Sequence, residues 1–118
     1  MDGERELDYL IAEKFLKLPK VYVEEWGKEV YKGHDGFCDN VLLRTLPYFS
    51  SNYDANRILI RYMQVHGSSF YLAWDEGNNQ WTCSWVTSGY RFVAKAETLE
   101  LAVSRVAYNV ITRNEVIK

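Results

Sequence analysis

The sequence predicts a small α+β domain, a helix/antiparallel-sheet/helix sandwich with the element order α-(ββ)-α-βββ-α. Two patterns indicate this fold class. In three segments apolar residues recur every three or four positions, as on one face of a helix. In three consecutive segments between residues 70 and 94 they alternate with smaller or polar residues, as in strands with one buried face. The 118 residues contain no repeat and no long linker, so we expect a single domain over 1–118.

The first helix is predicted to end by Pro19, with apolar residues at helical spacing from Leu7 onward and Asp2 as a possible N-cap. Its apolar face consists of Leu7, Leu10, Ile11, Phe15 and Leu18, and its polar face of Glu6, Asp8, Glu13, Lys14 and Lys17. Two β-favouring runs at 21–23 and 29–31, separated by a turn, predict either a hairpin or irregular strands. Residues 33–36 have loop composition, and 37–44 fit no single element.

The second helix is expected to begin after Ser51 or Asn52, with Asp54 in its first turn, and to end near Gly67. The last helix is expected to follow a Thr98 cap and to continue to about Thr112. Between them, three strands form a meander with large apolar side chains on one face, which we expect to pack under the second and third helices: Phe70, Leu72, Trp74, Trp81, Cys83, Trp85, Tyr90, Phe92 and Ala94.

Composition and motifs exclude several classes of function. Lys and Arg number 14 against 16 Asp and Glu, and no basic block occurs, so we expect no DNA or RNA partner. The N-terminus does not resemble a signal peptide, and no segment is long enough for a membrane span. The two cysteines, Cys38 and Cys83, are widely spaced. We therefore expect a cytoplasmic protein with reduced thiols. No catalytic motif is present. His34, Cys38 and Asp39 could in principle contact a metal, but they lack the four spaced ligands of a structural zinc site, and a plain polar loop is the favoured interpretation. We therefore expect neither enzymatic activity nor a metal or cofactor.

Two features suggest a binding site. Ser50, Ser51 and Asn52 precede a helix N-terminus and Arg57 follows one turn later, an arrangement that could hold a phosphate, although the same residues could simply cap the helix. Aromatic residues reach 15%, more than a plain core needs, and those at loops and strand ends could stack on a ligand or bind a partner. The candidate ligand-binding residues are Trp26, Tyr48, Ser50, Ser51, Asn52, Arg57, Trp74, Trp81 and Arg91.

Several of these segments resemble the phage ABA sandwich domain family, a group of small bacteriophage proteins. The similarity includes the amphipathic run 7–14, the Pro-Tyr-Phe-Ser-Ser-Asn element at 47–52, Trp-containing strands and a Thr-capped last helix. The resemblance implies a virus-encoded, non-enzymatic, homo-oligomeric protein of the bacterial host cytoplasm. It also implies, as the expected function, sequestration of a nucleotide-derived host immune signal. The alternative is a protein–protein interaction module that inhibits or modulates a host factor through its aromatic surface.

A second resemblance, to the double-stranded RNA-binding domain, is set aside because Glu97 and Glu100 make the start of the last helix acidic where that family is basic.

Overall fold

The computed structural model describes residues 3–34, 41–44 and 46–113, with the backbone alone at Glu4, 32–34 and 41–44. The elements within it are α1 (Gly3–Leu10), which continues into a π-helical turn (Ile11–Phe15), then β1 (Lys20–Val23), β2 (Lys28–His34), β3 (Val41–Arg44), α2 (Tyr53–His66), β4 (Ser69–Asp75), β5 (Gln80–Thr87), β6 (Tyr90–Ala96) and α3 (Leu99–Ile111). The strands form two antiparallel sheets, sheet A in the order β1-β2-β3 and sheet B in the order β4-β5-β6. The predicted α+β fold class and element order are confirmed.

Sheet A contains the predicted hairpin and one strand more than the sequence patterns indicated. In the hairpin Val21 pairs with Val30, and β3 then pairs with the far edge of β2. The loop predicted at 33–36 is wrong at its start, because Gly33 and His34 belong to β2 and pair with β3. The remaining predictions for 35–40, including Cys38 and Asp39 as possible metal ligands, and the Asp2 cap lie outside the described residues.

Sheet B has the predicted meander and the predicted inward face. Its register places Phe70 opposite Trp85, Trp85 opposite Phe92 and Trp74 opposite Trp81. At the centre of this face Cys83, Trp85 and Phe92 are buried, whereas Trp74 and Tyr90 near the strand ends are exposed. The core therefore lies against the middle of the sheet, and the aromatics at its ends remain accessible.

Helices α2 and α3 cover this inward face, as predicted. Their caps are Asn52 and Thr98, whose side chains accept hydrogen bonds from Ala55 N–H at 2.9 Å and Leu101 N–H at 3.2 Å. The indole Nε1–H of Trp85 donates to the Met63 carbonyl at 2.6 Å and thereby joins β5 to α2. The fully buried face of α3 consists of Ala102, Val103, Ser104, Val106 and Ala107.

The first helix departs from its prediction in two ways. Its regular part ends at Leu10, and a π-helical turn follows, with Leu16 N–H donating to the Ile11 carbonyl at 2.8 Å. Asp8, predicted on the polar face, is fully buried. The physical reason is a tertiary partner: the Asp8 carboxylate accepts a hydrogen bond from the Ser50 backbone N–H, 42 residues away. The spacing of apolar residues along a helix carries no information about such a long-range contact.

Candidate functional site

The segment from Leu46 to Asn52, which precedes α2, is held by two side chains of α1. Arg5 donates from Nη2 to the Leu46 carbonyl at 2.9 Å and from Nη1 to the Pro47 carbonyl at 3.1 Å. Its guanidinium carbon lies 3.7 Å from the centre of the Tyr48 ring, a cation–π contact. Arg5 also forms a 2.8 Å ion pair with Asp8. The 46–52 segment is therefore fixed on the first helix before α2 begins.

This arrangement uses most of the donors that the sequence suggested for a phosphate. Ser50 is buried, and its N–H donates to Asp8 Oδ1 at 2.8 Å. The N–H groups of Ser51 and Asn52 donate to the Tyr48 carbonyl at 3.2 and 2.8 Å, while Asn52 caps the helix with its side chain. The backbone N–H groups just before α2 are thus already bonded to acceptors of the protein itself. The geometry favours a capping role for these three residues over a phosphate site.

The two candidate arginines lie apart from each other. Arg57 is on α2, with one guanidinium nitrogen 3.9 Å from Asp54. Arg91 is on the outer face of sheet B, where its Nε–H donates to Ser84 Oγ at 3.2 Å. Strand alternation places Arg91 on the opposite face from Trp74 and Trp81. These charges do not converge on one ligand.

Trp74 and Trp81 form the most exposed aromatic pair of the inward face, and we refer to them as the Trp pair. Their ring centres are 5.5 Å apart with an interplanar angle of 61°, an edge-to-face contact. Trp81 is half-buried against the core, whereas Trp74 is 42% exposed. Trp81 is thus packed against the core and supports the exposed ring of Trp74.

The Trp pair lies at the end of the domain where both long helices begin. Trp81 pairs with Ala96, only two residues before the Thr98 cap of α3. The start of α2 is joined to the start of α3, because Asn56 Nδ2–H donates to the Glu100 carbonyl at 3.0 Å. The 46–52 segment and the Trp pair therefore share one end of the molecule.

Several acidic residues adjoin the strand ends that carry the Trp pair, and the cation Lys95 lies near Asp75. Glu76 follows Trp74 by two residues in the β4–β5 turn and is exposed, and Glu97 and Glu100 lie at the start of α3. In the same turn Asp75 accepts hydrogen bonds from the side chain and backbone of Asn78, which lower the pKa of its carboxyl group. A surface of this kind attracts cations and repels phosphate.

The remaining candidate aromatics occupy separate surfaces. Trp26 is 52% exposed in the turn between β1 and β2, and Tyr48 lies beneath Arg5. Elsewhere a groove of about 310 Å³ runs between α1 and α3 and is lined by Gly3, Glu6, Leu7, Leu10, Arg105 and Tyr108. The predicted residues therefore do not form one pocket. They divide into a helix-capping cluster, the Trp pair and isolated surface side chains.

Sequence reasoning missed the roles of Arg5, Asp8 and Asn56. Asn56 is fully buried, and its Nδ2–H groups donate to the Phe49 and Glu100 carbonyls at 2.8 and 3.0 Å. For Asn56 the available signal was a polar residue at a position where helical spacing predicts an apolar one, which indicates a buried hydrogen bond. The spacing gave no such signal for Arg5 and Asp8.

The structure identifies no chemically reactive centre in its described part. Burial raises the pKa of the Cys83 thiol to about 12, so this sulfur is protonated at neutral pH and a poor nucleophile. Within residues 3–34, 41–44 and 46–113 no group of three or more His, Cys, Asp or Glu side chains could hold a metal ion. Among the helices described, none has the length and apolar character needed to cross a bilayer.

The fold is shared with a solved protein of viral origin. A phage protein from Bacillus cereus ATCC 14579 is similar in structure, with a TM-score of 0.62 over 91% of this chain and 90% of that one, at 14% sequence identity. No family model matches the sequence, and no curated protein is similar to it at a significant level. The resemblance to the phage ABA sandwich domain family stays a prediction, while the fold is shown to be one that a phage protein adopts.

Proposed function

We propose that the protein is a non-enzymatic binding protein of a bacteriophage, acting in the host cytoplasm by docking on a host protein through the Trp pair. The observation that carries the proposal is an exposed indole packed edge-to-face on a half-buried one, with Glu76 in the adjoining turn and Glu97 and Glu100 at the start of α3. Tryptophan is enriched among the residues that dominate binding energy at interfaces. Carboxylates beside it favour a partner surface that carries Lys or Arg, which can also contact the indole face.

The viral origin is supported by the fold shared with the Bacillus cereus phage protein and by the resemblance to small phage accessory proteins. A non-enzymatic role is supported by the inert thiol of Cys83 and by the hydrogen bonds that already occupy the polar groups of the 46–52 segment. Binding is the activity that such a surface can perform without reactive groups.

Affinity measurements on matched variants test the docking surface. A host protein captured from bacterial lysate is purified, and its binding to the wild-type protein is measured by calorimetry. We expect Trp81→Ala to weaken binding at least about 30-fold, the effect of losing an interface anchor of about 2 kcal/mol. Raising the salt concentration should also weaken binding, because the carboxylates act through water.

The control variants separate the Trp pair from other surfaces. Tyr90→Ala removes an aromatic residue whose exposure is similar to that of Trp74, at the other end of the same sheet face, and should leave the affinity unchanged. Ser51→Ala and Arg57→Ala should also have no effect, since they alter only the start of α2. Equal losses for Trp81→Ala and Tyr90→Ala would contradict the proposal.

A second candidate is sequestration of a nucleotide-derived immune signal, as the family resemblance implies. It is favoured by the open face of Trp74, because an exposed indole can stack on any nucleobase. The acidic surroundings of the pair and the occupied donors of Ser50, Ser51 and Asn52 count against recognition of phosphate there. We therefore rank this function second.

Small-molecule binding distinguishes the two candidates. Protein purified from infected cells is denatured, and the released compounds are identified by mass spectrometry. Cyclic dinucleotides and ADP-ribose derivatives are then tested for an increase in Tm, which a bound ligand produces by mass action. An unchanged nucleotide that raises Tm would establish sequestration over protein docking, and a chemically altered one would indicate an enzyme.

A further inference from the structure

The two outer edges of sheet B differ in how their backbone groups are used. Along β6, side chains of α3 occupy the edge: Asn109 Nδ2–H donates to the Val93 carbonyl at 3.1 Å, and Arg105 Nη1–H donates to the Lys95 carbonyl at 2.9 Å. A further strand therefore cannot pair there without displacing them. Within the described residues no comparable side chain bonds the free edge of β4.

The backbone groups at the free edge of β4 follow from strand alternation. Since Val93 and Lys95 direct their carbonyls away from β5, the residues of β6 that bond to β5 are Phe92, Ala94 and Ala96. When the same alternation is followed through β5 to its other neighbour, Tyr71 and Ala73 are residues of β4 that bond to β5. The N–H and C=O groups of Phe70, Leu72 and Trp74 then point outward.

The side chains of β4 do not protect this edge. The strand is seven residues long, contains no proline and no charge before Asp75, and exposes the side chains of Tyr71 and Trp74. Natural proteins normally protect such edges with Lys, Pro or a covering element. The two outer strands of sheet A, β1 and β3, are weaker candidates because each has only four residues, and β1 also begins with Lys20 and follows Pro19.

We propose that β4 pairs antiparallel with β4 of a second copy of the chain, centred on Leu72, to form one continuous six-stranded sheet. In this register Leu72 faces its own copy, and Phe70 faces Trp74 of the partner subunit. Because these residues point outward, the pairing forms six backbone hydrogen bonds. The one charged residue of β4, Asp75, faces Ser69 of the partner subunit, so no like charges meet.

The second copy also completes the candidate binding surface, a consequence that rests on the proposed function. Trp74 gains the partner subunit's Phe70 as its cross-strand neighbour, on the same face as Trp81. The binding surface of each protomer then includes an aromatic ring from the other.

Mass in solution tests the pairing, with a register-specific rescue. Wild-type protein is expected to have twice the 13.8 kDa chain mass in light scattering. Tyr71→Glu/Ala73→Glu should be monomeric, because position 71 of one copy faces position 73 of the other and four carboxylates would meet. Tyr71→Lys/Ala73→Glu should restore the dimer by pairing opposite charges. Lys95→Glu alters the same outer face away from the edge and should remain dimeric.

Hydrogen exchange locates the interface in the same proteins. The amides of Phe70, Leu72 and Trp74 should exchange slowly in the wild type and at least tenfold faster in the monomeric double variant, while those of Tyr71 and Ala73 stay protected in both. A monomeric wild type at every concentration, or a double-glutamate variant that remains dimeric, would overturn the proposal. Trp81→Ala should bind its target weakly yet remain dimeric, so failure of the proposed function is distinguishable from failure of the pairing.

Discussion

At the scale of single residues, the Arg5–Asp8 pair is the clearest case of a polar group that determines local structure. Asp8 is fully buried, and its carboxylate contacts both the Arg5 guanidinium and the Ser50 N–H at 2.8 Å. Burying two charges costs hydration free energy, which is recovered only when every partner is present. The pair therefore makes the position of the 46–52 segment specific.

Removing the Asp8 carboxylate should destabilise the fold substantially. Asp8→Ala leaves a partly buried guanidinium without its carboxylate and leaves the buried Ser50 N–H without its acceptor, so we expect a loss of about 3 kcal/mol in the free energy of unfolding. Urea denaturation measures it. Glu6→Ala, an exposed change on the same helix, should cost under about 0.5 kcal/mol.

The double variant Arg5→Ala/Asp8→Ala provides a further check on this interpretation. It should lose less stability than the sum of the two single variants, since no unpaired charge remains. Additive losses would show that Arg5 and Asp8 act independently of each other.

At the scale of elements, the junction between α2 and β4 depends on close approach of the backbone to Trp85. A Cβ atom at Gly67 would lie 2.6 Å from the Val86 carbonyl oxygen and 2.8 Å from Trp85 Cε2, and closer still to Nε1. The same indole donates to the Met63 carbonyl near the end of α2. Glycine is required here by the available space, since its φ of −117° is accessible to any residue.

Gly67→Ala should accordingly break the contact between α2 and sheet B. The clash displaces the Trp85 ring from its hydrogen bond, and we expect a loss of about 2–4 kcal/mol in the free energy of unfolding, in the range for core overpacking with a lost buried hydrogen bond. Near-ultraviolet circular dichroism should change with it. Gly77→Ala is the matched control, because its nearest neighbour is the flexible Asp75 side chain at 3.4 Å. Equal effects at both glycines would contradict the steric explanation.

Elements set by local chemistry could be predicted from the sequence, and those set by distant contacts could not. Asn52 and Thr98 cap their helices through residues three positions away, and alternation alone indicated the inward face of sheet B. By contrast, β3 exists through its pairing with β2. Of the candidate site, the Trp pair was predicted at its strand ends, whereas the occupied donors of Ser50 depend on Asp8, which lies in another element.

At the scale of the whole molecule, a polar cluster links sheet A to the first helix. Tyr31 of β2 donates its hydroxyl proton to Glu13 Oε1 at 3.1 Å, and Lys20 of β1 forms an ion pair with the same carboxylate. Burial first, and then the hydrogen bond to Glu13, raise the pKa of Tyr31 from 10.0 to about 12. The protonated phenol is thus part of the contact between sheet A and the first helix.

The stability of the protein should therefore fall at alkaline pH in a way that depends on Tyr31. Between about pH 10 and pH 12 the unfolded chain loses the Tyr31 proton while the folded chain retains it, so the contribution is complete below pH 10 and is lost as pH rises through 12. At pH 8 the free energy of unfolding of Tyr31→Phe should be lower than that of the wild type. The difference between the two proteins should be smaller at pH 11.5. Urea denaturation at both pH values measures this, and other tyrosines cancel in the difference.

The side chains of Asn109 and Arg105 have a consequence for aggregation. Stacking of chains into a fibril through sheet B would need two available edges per molecule, one for each neighbour. With the β6 edge bonded to its own helix, strand addition to this sheet ends after a single step. The two side chains thus attach α3 to sheet B and also block the addition of a strand at β6. Truncating both of them should allow strands to add at both edges of sheet B, so that the chains assemble into filaments.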